Sequence, residues 1–348
     1  MKKSLLSILL FRTGLWLLFR RKHKDKLVFL TIHGVKDPSV DSPWTPLRSY
    51  LGIPELDAHL ALLKRYYNFI SVEQACEMIR GERPPKPYSV AITFDDGYAN
   101  NIDIGFEVLK RHGVPMTLFV ATGHVENQKP FWFDRLDYAV QNNISGTYNT
   151  SFEGVPIQFD MSNRQSGKRT LVRAIRKILK AKRNDYDLVP KVERFIGSIE
   201  ALKGRALADV YDKDVNSRVA SREKLRGFSA HPLATLGSHT KNHVRLNAQP
   251  EEKIRAELNE SKDYIEKITG KSCDWFCFPN GVYSEASAEL VEEAGYKAAF
   301  TTQEGHNNVG DYPYILHRIN LPLNTRPEQL ACMVAGVFQF PKRGISTS

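Results

Sequence analysis

Apolar residues in this chain gather into short β-prone runs that alternate with longer stretches of helical periodicity. Residues 27–35, 88–94 and 114–120 read as strands, and 57–66, 73–80 and 100–112 as the helices among them. The beat returns after residue 230, with a strand at 233–237 and a helix at 251–269 that Pro250 opens and Gly270 closes. A strand at 275–278, a helix at 284–294 ended by Gly295, and strands at 298–302 and 315–321 complete it. Ile254, Leu258, Ile265 and Ile268 form one stripe on the long helix, the mark of a face packed on a core. Strands and helices alternating in this way predict a parallel sheet and an α/β fold. At 348 residues the chain is long for one domain, but α/β barrels reach this size with insertions.

Charge divides the chain further. The net +10 is concentrated in residues 1–26, with eight Lys/Arg against one acid, and in residues 163–226, with eighteen against eight. The remainder is acidic, with 23 basic residues against 30 acidic ones. Neither basic stretch carries the interleaved aromatics or the module of a nucleic-acid binder, so no nucleic-acid partner is expected. The first stretch is apolar from Ser4 to Phe19, is broken by Arg12, and falls short of the roughly 20 residues needed to span a bilayer. Arg20-Arg21-Lys22-His23-Lys24 follows where a cleaved signal would need small residues. An amphipathic anchor helix at an anionic membrane surface is expected, and the positive flank keeps the rest in the cytoplasm. The alternative is a helix docked on the protein's own surface. Cys76, Cys273, Cys277 and Cys332 read as small buried hydrophobes in a reducing compartment.

Chemistry is concentrated at the ends of predicted strands. Thr93-Phe94-Asp95-Asp96-Gly97 places two carboxylates where a buried strand stops, and Ser238-His239-Thr240-Lys241-Asn242-His243 places two imidazoles four residues apart after another. A helical turn there would align the imidazoles. One carboxylate with two histidines leaves positions open for water and substrate, as a catalytic metal requires. Solvated turn carboxylates and an ordinary helix face are the plainer readings of each segment alone. The two segments together weigh against both. A third apolar run, Trp275-Phe276-Cys277-Phe278, ends in the rigid turn Pro279-Asn280-Gly281.

In order and rough spacing these segments resemble the first three motifs of polysaccharide deacetylases with a NodB-homology domain, carbohydrate esterase family four. The resemblance runs from about Leu27 to about Asn324, and Leu27 to His33 resembles the Tyr-His-containing first strand of one branch. The third motif departs from the pattern. Cys277, Phe278 and Asn280 stand where many members carry an arginine before the proline and a tyrosine after it, so the arginine that orients the catalytic aspartate is not visible. The family implies a distorted (β/α) barrel. The expected division is an anchor helix at 1–26, barrel at 27–126, a mainly helical basic insertion at 127–230, barrel at 231–330 and a tail at 331–348.

The resemblance further implies a metal-dependent hydrolase that removes N-acetyl groups from an amino-sugar glycan or glycolipid. Asp96, His239 and His243 would be the metal ligands, with zinc expected, and Asp95 the general base. The backbone N–H of Asn280, after Pro279, would serve the oxyanion. His33 and His317 are rival general acids, His33 being favoured. Trp132, in Pro130-Phe131-Trp132-Phe133-Asp134, would floor a sugar subsite unless those rings form the insertion's own core. The cationic stretch Lys168 to Lys180 would meet a lipid surface or a phosphate-linked substrate, or be a solvated helix face. A metal-dependent amidohydrolase of a non-sugar amide and an inactive carbohydrate-binding homologue remain the alternatives.

Overall fold

The structure, a computed structural model, describes residues 2–42, 44–48, 50–182, 184–321 and 325–338. Two helices, α1 (Lys2–Arg12) and α2 (Trp16–Lys22), precede the first strand, β1 (Val28–Ile32). A small parallel pair, β2 (Val35–Lys36) and β3 (Leu51–Gly52), leads into α3 (Ile53–Lys64), β4 (Asn68–Phe69) and α4 (Val72–Ile79). Then come β5 (Ser89–Phe94), α5 (Glu107–Arg111) and β6 (Met116–Val120). After α6 (Thr122–Asn127) the insertion holds α7 (Trp132–Asn143), the hairpin β7 (Thr147–Phe152) and β8 (Val155–Asp160), α8 (Arg164–Lys182) and α9 (Asp185–Glu200). The chain resumes with α10 (Arg222–Ser229), β9 (Ala234–Ser238), α11 (Glu251–Thr269), β10 (Trp275–Cys277), α12 (Glu285–Glu293), β11 (Ala298–Phe300), β12 (Ile319–Asn320) and α13 (Pro327–Val334).

The principal sheet is parallel and curled, in the order β11-β10-β9-β6-β5-β1-β12, with β4 beside β5. A bridge from Phe300 to Leu316 brings its two ends together. Strands β1, β5 and β6 are buried along their whole length, as expected where helices cover a parallel sheet on the outside and side chains fill it within. This is the parallel sheet that the alternation of elements predicted, curled into the distorted barrel that the resemblance implied. Residues 315–321 depart from expectation: Pro313–Ile315 form a 3₁₀ turn, and only Ile319–Asn320 pair as strand. Pro313 has no N–H for a ladder and fixes its φ for a turn. The predicted helix at 100–112 opens with a π turn, Asn101–Phe106, before α5.

Beside its helices the insertion carries a hairpin that the sequence reading did not include. β7 and β8 pair in antiparallel register from Thr147↔Asp160 to Phe152↔Val155. Glu153 and Gly154 turn between them with φ of 52° and 78°, the left-handed pair that a two-residue hairpin loop demands. Phe152, Ile157 and Phe159 close the hairpin onto Leu136, Leu171, Ile175, Val192 and Ile196, a core separate from that of the barrel.

The N-terminal helix is two helices broken at Thr13-Gly14, and both dock on the protein. Ser7 O accepts a bond from Cys332 Sγ of α13 at 3.4 Å, and Trp16, 2% exposed, packs on Phe11 and Tyr66. No helix among the described residues is long and apolar enough to cross a membrane. α13 carries the chain past the expected tail boundary and buries Leu330, Ala331 and Cys332. The rest of that tail, 339–348, lies outside the described residues.

Candidate metal centre and its cavity

β5 delivers Asp95 and Asp96 to the end of the barrel where the parallel strands finish. The chain leaves through Asp96 at φ 75° and Gly97 at φ 86°, and a Cβ on Gly97 would lie 3.1 Å from Val120. Asn101, on the π turn, donates from Nδ2 to the Asp95 carbonyl at 3.0 Å. β9 delivers His239 in the same way. The imidazoles do not meet through the helical turn expected from their spacing. Thr240 and His243 instead adopt φ of 66° and 53° in an irregular loop, which Glu257 of α11 fixes by accepting from the N–H groups of Lys241 and Asn242, each at 2.8 Å. Asn280, at φ 57°, follows β10. Four of the seven non-glycine residues with positive φ among those described are therefore Asp96, Thr240, His243 and Asn280. Strain of this kind gathers where surroundings over-determine a site.

His239 Nε2 and His243 Nε2 lie 3.6 and 3.4 Å from Asp96 Oδ1. One donor atom from each of the three falls within 4.8 Å of the others, so the set fits one divalent ion. His239 Nδ1 is bonded to the carbonyl of Cys277 at 2.7 Å, which leaves Nε2 for a ligand role. Burial, then the charge of His243, pulls the His239 pKa down to about 4, so its ring is neutral at pH 7. Asp95, His239 and Cys277 also converge. They fit a metal worse. Burial raises the Cys277 thiol well above its ordinary value, and the Asp95 carboxylate is already engaged.

That engagement is with Arg318. Its Nη1 and Nη2 donate to Asp95 Oδ1 and Oδ2, both at 2.7 Å, and both side chains are buried. Burial alone would raise the Asp95 carboxyl, but the charge and bonds of Arg318, with His239 and His33, hold it below the usual carboxylate range. Beside Pro279 the sequence reading found no arginine; Arg318, the residue just before β12, instead reaches Asp95. Nothing local to the third motif could have shown it.

A cavity of about 450 Å³ opens over the centre, lined by Asp95, Asp96, His33, His239, His243 and Asn280 among others. His317 is not among its lining. Its backbone pairs with Asn307, which also binds Leu27 where β1 begins, so His317 sits toward the opposite end of the barrel. Pro279 is buried behind Asn280. Trp132 lines a smaller adjoining cavity of about 170 Å³, while its neighbour Phe133 lines both, its ring 5.8 Å from that of His243.

The sequence reading missed Arg48. It lies in the irregular segment before β3, stacks its guanidinium 3.4 Å over Tyr98, and brings Nη1 to 3.9 Å from Asp96 and 3.5 Å from Asp134. Nη1 has no hydrogen-bond acceptor. Burial raises Asp134 to about 7, with Arg48 opposing and Asp96 and Asp137 adding to the rise.

A family model described as polysaccharide deacetylase matches residues 82–145 and 205–299, leaving the insertion between them. A curated Bacillus subtilis protein, "Putative polysaccharide deacetylase YxkH", is 19% identical over 77% of this chain, which spans 64% of that relative's length. The Streptococcus pyogenes deacetylase PplD, solved with acetate, superposes with a TM-score of 0.58 at 17% identity over 89% of this chain and 99% of its own. IcaB from Ammonifex degensii gives 0.57 at 17% identity, over 89% and 97%. At these identities the structural likeness shows the fold.

Proposed function

The chain belongs to the polysaccharide deacetylase family, and from that premise we propose that it is a metal-dependent hydrolase removing N-acetyl groups from an amino-sugar glycan or glycolipid. The observation that carries this reading is the pairing of two unlike units at one strand end. Asp96, His239 and His243 form a metal-ligand set, and Asp95, clamped by Arg318, stands beside it.

A divalent ion, zinc by the chemistry of one carboxylate and two imidazoles, would supply Lewis acidity for a water and for the amide carbonyl. The remaining work falls to the chain. Asp95 accepts the proton of the attacking water. A carboxylate held so far toward its ionised form is a weak base, which suits a water whose own acidity has been raised. The N–H of Asn280 faces the developing oxyanion, and His33 returns a proton to the leaving nitrogen, without which an amine departs poorly. Phe133 and Leu47, on the cavity wall, limit water around the reacting amide.

The test is acetate release from a panel of N-acetylated glycans, lipid-linked sugars and small amides. Chelation should abolish release and metal should restore it. Asp95→Asn should keep metal and lose turnover, whereas His239→Ala or His243→Ala should lower metal affinity by orders of magnitude. Stoichiometric metal retained after both histidines are replaced would overturn the assignment.

We place the protein on the cytoplasmic face of a membrane, held peripherally by α1 and α2. Support comes from their outer faces: Leu5, Leu6, Leu9, Leu15, Leu17, Leu18 and Phe19 are exposed beside Arg12, Arg21, Lys22 and Lys24.

A further inference from the structure

We propose that the cavity takes a phosphorylated N-acyl amino sugar, the phosphate being held by Arg169, Arg173 and Arg176 of α8. This rests on the deacetylase reading above and names the substrate class for that site. The three arginines stand four and three residues apart, on one face of the helix, and all three line the larger cavity. Among the described residues none of them makes an ion pair. The acids of the cavity are committed elsewhere: Asp95 to Arg318, Asp137 to Lys168 at 2.8 Å, and Asp96 to the two histidines. Three like charges at these spacings repel one another. A concave wall with an unmatched positive field concentrates an anionic ligand.

Residue type points to phosphate. A guanidinium presents a planar fork that binds phosphate oxygens in pairs, whereas an ammonium acts as a point charge. The charged positions of α8 that line this cavity are all arginines, with the apolar Val172 among them, while Lys168 and Lys182 of the same helix bind Asp137 and Glu153. Arg176 also lies 5.8 Å from the Phe133 ring, so an aromatic face and a cation are set together beside His243. Arg48 also lines the cavity, but its Nη1 lies 3.5 Å from Asp134 and 3.9 Å from Asp96 and its other nitrogens bond Tyr50 and Asn216, so the unpaired charge is that of α8. A cavity of about 450 Å³ has room for a sugar ring and its phosphate, the acyl group over Asp96 and the phosphate toward α8. An uncharged glycan would have no use for this wall.

The experiment uses the full chain with metal loaded. Its substrates are N-acetylglucosamine, N-acetylglucosamine 1-phosphate, UDP-N-acetylglucosamine, a prenyl-diphosphate-linked N-acetylglucosamine, N-acetylmuramic acid and neutral chito-oligosaccharides. kcat/KM should favour the phosphorylated sugars, and the phosphorylated arms separate free, nucleotide and lipid sources. Arg173→Gln and Arg176→Gln should each cut that preference about 10- to 100-fold, through KM more than kcat, the loss expected for one charged hydrogen-bonding contact. Lys177→Gln, on the same helix but outside the cavity lining, should leave the preference alone. Calorimetric titration with inorganic diphosphate reads the site without turnover, and wild-type binding should disappear in the Arg169/Arg173/Arg176→Gln triple variant that still melts cooperatively. Equal use of neutral and phosphorylated sugars, a preference for N-acetylmuramic acid over them, or diphosphate binding that survives the triple substitution overturns the proposal. If no sugar is deacetylated while diphosphate still binds and is lost with the arginines, the hydrolase reading fails and the phosphate site stands.

Discussion

Adjacent carboxylates in one turn acquire different roles from their neighbours. Asp96 faces two imidazoles, and Asp95 faces a buried guanidinium whose planar fork fits both of its oxygens. Arg318→Lys would keep the charge and lose the fork, so turnover should fall about 10²-fold from a misaimed base while metal content holds. Arg318→Ala leaves a buried carboxylate without its partner, and a loss of about 3–5 kcal/mol should appear as a lower melting temperature. Unchanged kinetics in the lysine variant would remove Arg318 from any positioning role. The general acid can be identified by leaving group. An amide must expel its amine protonated, at a cost of about 10²- to 10⁴-fold if the acid is gone, whereas an ester suffers less. His33→Ala should show that selectivity, because His33 lines the cavity, and His317→Ala should not. The reverse pattern would return the acid to the late strand, against the geometry.

Secondary elements were legible where their ends carried chemistry. The span 251–269 was read to the residue because Pro250 opens the helix and Gly270 closes it at φ 68°. β5 was legible from its unbroken apolar run. The hairpin at 147–160 was not, because β7 is largely polar and its inward residues complete a core that only folding assembles. Arg318 and Arg48 were hidden for a related reason. The curling of the sheet brings β12 beside β1, placing Arg318 against an aspartate 223 residues earlier, and Arg48 comes from an irregular segment with no motif. α7 also carries a pH response. Asp134 titrates near 7 in the fold and near 4 when unfolded, so between those values the folded chain holds a proton that the unfolded chain has released. Its contribution to stability is complete below about pH 4, declines through the window and is gone above about 7. Asp134→Asn should therefore gain on the wild type as pH rises from 5 to 8, by something on the order of 1–4 kcal/mol in urea unfolding. A gap between the two proteins that is independent of pH would disprove the raised pKa.

At the scale of the molecule, the candidate site and the N-terminal helices occupy opposite ends of the barrel. Lys24 O accepts from the N–H of Tyr88, just before β5 begins, and Asp95 follows where β5 ends, six residues or about 20 Å further on. An enzyme seated on lipid through α1 and α2 would thus hold its cavity away from that surface. Deleting residues 1–26 is a poor test of such seating, since it strips Trp16 and α1 from the core they cover, and loss of a buried tryptophan alone costs about 3–5 kcal/mol. Leu5, Leu9 and Leu18 are 67%, 58% and 65% exposed, so replacing all three by Glu changes the outer face and spares the packing. The wild type should cosediment with vesicles rich in anionic lipid and release them as salt rises past about 0.1 M, where the Debye length is about 10 Å. The triple variant should bind at least about 10-fold more weakly, because three apolar contacts are lost and three negative charges face the lipid. Turnover of a soluble substrate should be the same for both proteins, with or without vesicles, given the distance between the two ends. A wild type that ignores anionic vesicles at low salt, or a triple variant that binds them equally well, would leave α1 and α2 as a cover for the barrel and nothing more.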